Sequence, residues 1–188
     1  MDVEEATTRV LDAAEEQFYE RGIQAVGMDA IRSRSGVSLK RLYQCFPSKD
    51  HIVAAYLRRR DDRWRTQLAE YVREHGDTAE GAILAVFDWL SEWFRRPEFR
   101  GCAFVNSFGE LGGVSPVVAE TARAHKKAVG AYLRQLVEPL DVSDPDGLAA
   151  QLAVLVEGAT VVAAVTGDLD AARTSRACAE ALLDAAGR

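Results

Sequence analysis

The sequence predicts an all-α protein in two parts: a three-helix N-terminal unit over residues 1–48 and a larger helical domain over residues 49–188. Three observations predict it. Apolar residues recur at helical spacing in nearly every segment. Prolines and most glycines fall at the ends of those segments. The stretch GMDAIRSRSGVSLKRLYQCFPSKD, Gly27 to Asp50, reads as two short helices on either side of a glycine turn.

Helix 1 is expected over residues 4–21, where Val10 or Leu11, Ala14 and Phe18 share a face. Gly22 stops it; in the left-handed position it would let Ile23 fold back on Phe18 as in a Schellman cap. Helix 2 is expected over 28–35 and helix 3 over 38–45. Ile31, Gly36, Val37 and Leu42 occupy the places a helix-turn-helix needs: an apolar residue in its first helix, a glycine at the reversal, an apolar neighbour and an inward anchor on the second. Gly36 supplies the positive φ, and the Ser38 hydroxyl can cap helix 3. Pro47 breaks the chain, and Ser48 is the candidate N-cap of helix 4, over 49–74. Asp50 suits the positive end of that helix and Lys49 does not. The mixed-sign run Arg58 to Arg63 reads as a solvated face.

Gly76 and Asp77 lead into helix 5, over 78–95, with one stripe of Ile83, Phe87, Leu90 and Phe94 and another of Val86, Trp89 and Trp93. A helix apolar on two sides is central to its domain. Pro97 closes it. A short helix carrying Cys102, Phe104, Asn106 and Phe108 lies between Gly101 and the Gly112-Gly113 pair. Ser115-Pro116 opens helix 7, which ends near Pro139. The last helices, 145–166 and 170–186, are rich in Ala, Val and Gly. Leu148, Leu152, Leu155, Ala159 and Val162 form a stripe, and Gly158, Ala159, Ala163, Ala177 and Ala181 permit close helix approach.

At 188 residues and 48% hydrophobic, the chain can bury a sizeable core. The start, MDVEEATTR, is acidic, and no apolar run reaches the roughly 18 to 20 residues that span a bilayer. A soluble cytoplasmic protein without a membrane partner is expected. Cys45, Cys102 and Cys178 are odd in number and widely spaced, which suits reduced thiols. His51, His75 and His125 form no cluster with them, so no metal or other cofactor is expected.

The net charge of −6 is unevenly spread. From Arg21 to Arg65 there are 11 lysines and arginines against 4 aspartates and glutamates, a local +7; residues 66–188 hold 11 against 18, a local −7. Positive charge around the helix-turn-helix is what phosphate binding requires. Lys40, Arg41, Tyr43 and Gln44 lie on or near helix 3 as phosphate or base contacts. From spacing alone, an ordinary helical hairpin with a solvated basic face remains open.

The chain from Thr8 to Tyr56 resembles the amino-terminal domain of the TetR family of transcriptional repressors. The likeness rests on Phe-x-x-x-Gly at Phe18 to Gly22, Ile-(x)4-Gly-Val-Ser at Ile31 to Ser38, and Leu-Tyr-x-x-Phe-x-x-Lys at Leu42 to Lys49. Two departures stand out. Arg32 replaces a usually small residue at the helix crossing, so its stem must leave sideways. Leu39, Lys40, Arg41 and Cys45 replace the family's frequent Lys-Gly-Thr and histidine, so the operator should differ.

The resemblance implies a non-enzymatic, ligand-responsive regulator: a homodimeric repressor on palindromic double-stranded operator DNA, released by a small, mostly apolar effector. Ser38, Lys40, Arg41, Tyr43, Gln44 and Lys49 are its implied DNA-binding residues, Lys49 through phosphate. The last two helices would pair across a two-fold axis through Leu152, Leu155, Ala159, Val162, Ala163, Ala177 and Ala181. Covering the chain's own core is the other use of those helices. An effector wedged among helices 4 to 7, in a cavity between helices 5, 6 and 7, could shift helix 4 and with it the DNA-reading head, a coupling that must be reciprocal. Its cavity is expected to be lined by Trp89, Trp93, Cys102, Phe104, Asn106, Phe108 and His125. Cys102 has no evident basic neighbour to make it a sensor. The alternatives are a ligand-independent architectural DNA binder and an all-helical enzyme drawing on His125, Glu110 and Cys102.

Overall fold

The computed structural model describes residues 2–187, and among these it contains helices and no strand. They are α1 (Val3–Arg21), α2 (Met28–Ser35), α3 (Leu39–Cys45), α4 (Lys49–His75), α5 (Ala79–Phe94), α6 (Ala103–Leu111), α7 (Pro116–Val137), α8 (Pro145–Thr166) and α9 (Ala171–Ala186). Two compact units interleave along the chain. The first holds the residues up to Asp62 together with Ala103–Arg123; the second holds Arg63–Cys102 and the chain from Ala124 onward. A division after residue 48 follows the order of the chain, whereas the compact units place the start of α4, all of α6 and the start of α7 with the N-terminal helices.

In the first unit α1 starts where Asp2 accepts the Glu5 N–H at 2.8 Å and buries Ala6, Val10, Ala14 and Phe18 on one face. Phe18 meets Tyr56 of α4 edge-on, with ring centroids 5.7 Å apart. Gly22 ends α1 with φ +83 and ψ 153, and its N–H bonds the Phe18 carbonyl at 3.0 Å. The positive φ is as expected, but this is not a Schellman turn. The Ile23 N–H, which such a turn would return to the helix, goes instead to Glu110 of α6 at 3.1 Å.

In the run Arg58 to Arg63 of α4, Arg58, Asp62 and Arg63 are exposed as expected, but Arg59 and Arg60 depart from the expectation of a solvated face. Arg59 bonds Asp12 at 2.8 Å and Glu15 at 3.0 Å, and Arg60 bonds the other oxygen of Glu15 at 2.8 Å while lying 3.8 Å from the Tyr19 ring centre. The carboxylates of α1 draw these guanidinium groups inward, where Arg60 and Glu15 are largely shielded from solvent. The acidic first helix thus neutralises part of the basic segment before DNA can use it.

In the second unit α5 is central, as its two stripes require: Ile83, Val86, Phe87, Trp89, Leu90, Trp93 and Phe94 are all buried. Thr78 caps it by accepting the Gly81 N–H at 2.9 Å. Burial and the Glu92 carboxylate, which accepts the Tyr71 hydroxyl at 3.1 Å, push the Tyr71 phenol up to about 12, so it remains a donor at neutral pH. Asp144 caps α8 through the Gly147 N–H at 2.9 Å, with Pro145 at the first helical position.

α8 is long and apolar enough, by length and composition alone, to cross a bilayer. No unbroken apolar run exists because Gln151 and Glu157 interrupt it, but two polar residues leave the average high. Leu148, Leu152, Val156, Ala159 and Ala163 face the chain's own core, while Val154 and Val165 are 70% and 78% exposed. The helix is apolar inside and outside alike.

Candidate nucleic-acid interface

The turn between α2 and α3 forms as its sequence dictates. Gly36 adopts φ +65 and ψ 14 and bonds its N–H to the Arg32 carbonyl at 3.1 Å. A Cβ there would meet nothing within 4 Å, so the backbone angle alone demands glycine. Ser38 accepts the Arg41 N–H at 3.3 Å and starts α3. Ile31, Val37 and Leu42 are buried and fix the angle at which α3 leaves the turn.

With Leu42 inward, α3 presents Leu39, Lys40, Tyr43 and Gln44 outward, all exposed, with Arg41 and Lys49 half-exposed at the sides. Ser38 is exposed at the N-terminus of the helix, the end that enters the major groove in helix-turn-helix proteins. Among the described residues Lys40, Arg41 and Lys49 are bound to no carboxylate, whereas Arg34 forms a two-point bond with Glu16 at 2.7 and 2.8 Å. That bond and the adjacent negative charge raise the Arg34 pKa further. The basic surface is therefore sorted rather than uniformly solvated: Arg34, Arg59 and Arg60 brace α1, whereas Lys40, Arg41 and Lys49 beside α3 carry no such bond. Arg32 resolves its predicted crowding by turning toward Asp29 at 3.6 Å with its side chain part-exposed.

The sequence model of bacterial regulatory proteins of the tetR family matches residues 10–56, the span just described. A crystal structure from Streptomyces avermitilis, of the regulator sav143 assigned to the same class, is 30% identical; the match covers 96% of this chain and 97% of that one with a TM-score of 0.83. The chain belongs to the TetR family of transcriptional regulators. SCO4454, a TetR-family regulator from Streptomyces coelicolor, superposes with a TM-score of 0.89 over 98% of this chain and 97% of its own, at 29% identity. The transcriptional regulator YjdC of Escherichia coli is 27% identical over 141 residues, 73% of this chain and 72% of its own.

As a TetR-family member the protein is a DNA-binding regulator and not an enzyme. The residues of the enzymatic alternative have other occupations. Glu110 accepts backbone amides, Cys102 lies 3.3 Å from the Lys126 ammonium, and His125 packs its ring against Trp64. Among the described residues no three His, Cys, Asp or Glu side chains are grouped to hold a metal ion.

The residues expected around an effector are dispersed. In the second unit Trp89 and Trp93 stack at 5.5 Å, and Trp64 meets both edge-on at 4.9 and 5.8 Å and His125 at 5.3 Å. These rings fill their space with one another. Trp64, hidden in the arginine-rich run, joins the set without having been foreseen. Cys102 does have a basic neighbour, Lys126, whose ammonium also bonds both oxygens of Glu157 at 2.6 and 2.7 Å. In the first unit Phe104 is buried, but Asn106 and Phe108 are exposed. An open groove of about 660 Å³ runs between α7 and α8, floored by Val129, Gly130, Ala153, Val154, Gly158 and Val161, with Lys126 and Glu157 beside it.

The dimer residues also separate. Leu152, Ala159 and Ala163 are buried in the chain's own core and Leu155 is partly so, whereas Val162, Ala177 and Ala181 are exposed. The outward face of α8 carries Val154, Gly158, Val161 and Val165 in place of the leucine stripe.

Proposed function

We propose that this TetR-family regulator is a homodimeric repressor that acts in the cytoplasm on a palindromic operator and is released by a small, mostly apolar effector. One observation carries the dimer: Val154, Val161 and Val165 stand in solvent along a single face of α8, the kind of contiguous apolar surface that marks interaction sites when a partner covers it. Val162 beside them and the exposed Ala177 and Ala181 of α9 permit close approach of a second copy. Two copies then read two half-sites.

Tyr43 and Lys49 position the DNA backbone; Ser38 contributes at the helix start; Lys40, Arg41 and Gln44 include the base readers. Exposed Leu39 adds an apolar contact suited to a thymine methyl. Operators selected from random DNA by the purified protein should show two-fold symmetry. Lys49→Ala should weaken all sequences alike and flatten the salt dependence, whereas Gln44→Ala should cost about 1 to 3 kcal/mol mainly at one base pair. Full affinity of both Tyr43→Ala and Lys49→Ala in gel-shift titrations would remove the assignment. A reporter placed behind the selected operator reads repression as loss of transcription; a gain would make the protein an activator.

For the effector, the tryptophan cluster with His125 and Cys102 is the preferred region, and Phe104 is kept as a buried neighbour in its own unit. Asn106 and Phe108 have no support from burial. The mutual packing of Trp64, Trp89 and Trp93 favours a second reading, a ligand-independent DNA binder, because the cluster must open to admit anything. Screening apolar compounds separates the two. An effector must change tryptophan fluorescence, raise the melting temperature and release operator over one concentration range.

A further inference from the structure

The geometry points to Glu110 as a positioning residue for DNA binding: its carboxylate latches α6 onto the loop that leads into the helix-turn-helix. The observations lie within the first unit. Glu110 Oε1 accepts the Ile23 N–H at 3.1 Å, Oε2 accepts the Gln24 N–H at 2.9 Å, and the Gln24 side-chain amide donates to the Glu110 backbone carbonyl at 2.7 Å. Two consecutive backbone N–H groups pointing at one carboxylate form an anion nest, filled by a side chain from 86 and 87 residues away. Charge-assisted bonds of this kind are about twice as strong as neutral ones.

Gly22 is the other half of the device. A Cβ at this position would stand 3.0 Å from both Glu110 oxygens, on a backbone already at φ +83. Glycine is therefore needed twice, once for the angle and once to let the carboxylate in. The end of α1 is completed by α6 rather than by α1 itself. Ile23 and Val26 on either side of the latched amides are buried, so the latch anchors the loop that leads into α2 and with it the helix-turn-helix. None of this depends on an effector or on the sign of regulation.

The test compares the full-length protein with Glu110→Gln and Gln24→Ala, using the operator that the wild type selects and an unrelated duplex of equal length. A glutamine can accept only one of the two amides. Loss of a hydrogen bond to a charged group should weaken operator binding about tenfold in Glu110→Gln. Gln24→Ala, which loses only the bond to the backbone carbonyl, should give a smaller loss in the same direction and serves if the first variant does not fold. Binding to the unrelated duplex should be unchanged in both, since the phosphate contacts are intact. Hydrogen exchange at Ile23 and Gln24 should be slow in the wild type and fast in Glu110→Gln. Fast exchange in the wild type would overturn the latch. Faster exchange in the variant with undiminished operator preference would leave Glu110 a structural residue and overturn the positioning role.

Discussion

Two glutamates on the outer face of α8, Val161→Glu with Val165→Glu, are expected to turn the proposed dimer into a monomer and to weaken operator binding by about 10²- to 10⁴-fold, the gain that bivalent attachment supplies. The interface of a two-fold dimer uses the same patch on both copies, so each substitution acts twice and four carboxylates enter one interface. Burying an unpaired carboxylate costs far more than a valine contact returns. In the single chain the substitution should be almost silent, because Val161 and Val165 are 47% and 78% exposed. Sedimentation velocity should therefore report half the mass with the helix content and melting point retained. A persisting dimer would place the interface elsewhere. Ala159→Glu is the wrong probe: Ala159 is buried in the chain's own core, and a charge there would unfold the monomer before it tested the dimer.

Features encoded within a few residues were legible in the sequence. Gly36, Ser38 and Leu42 set a turn, a cap and an inward anchor within one short stretch, and each behaves as its chemistry requires. Features that depend on distant partners were not. The positive φ of Gly22 was readable, but its reason lies at Glu110, and no local rule connects residues so far apart. Arg59 and Arg60 look solvated until α1 supplies Glu15. α8 misled for a different reason. Its residues are apolar on almost every side, so periodicity could not say which stripe meets the chain's own core and which faces outward. Leu152 and Ala159 proved internal, and Val154 and Val165 external. Asn106 was expected inward because a polar residue in an apolar segment suggests a purpose, yet α6 buries only Ala103, Phe104 and Ser107 and leaves Asn106 outside.

Trp89→Ala is expected to destabilise the protein by about 3 to 5 kcal/mol. For a chain of this size that lowers the melting point by roughly 6 to 20 °C. Trp89 is 2% exposed, its ring crosses Trp64 at 88° and stacks on Trp93 at 24°, and each such aromatic pair adds about 0.5 to 1.5 kcal/mol beyond burial. Chemical denaturation followed by circular dichroism measures the loss. The same variant also tests what the cluster is for. Removing an indole from a packed apolar site leaves a cavity that can admit a small aromatic molecule, so indole added back should recover part of the lost stability in Trp89→Ala and have little effect on the wild type. If the wild type is itself stabilised by indole, the cluster opens without help, and the effector reading gains its site. A cost below about 1 kcal/mol would mean that the surroundings close over the missing ring, which well-packed interiors rarely do. Trp89 would then line a space already present rather than fill one.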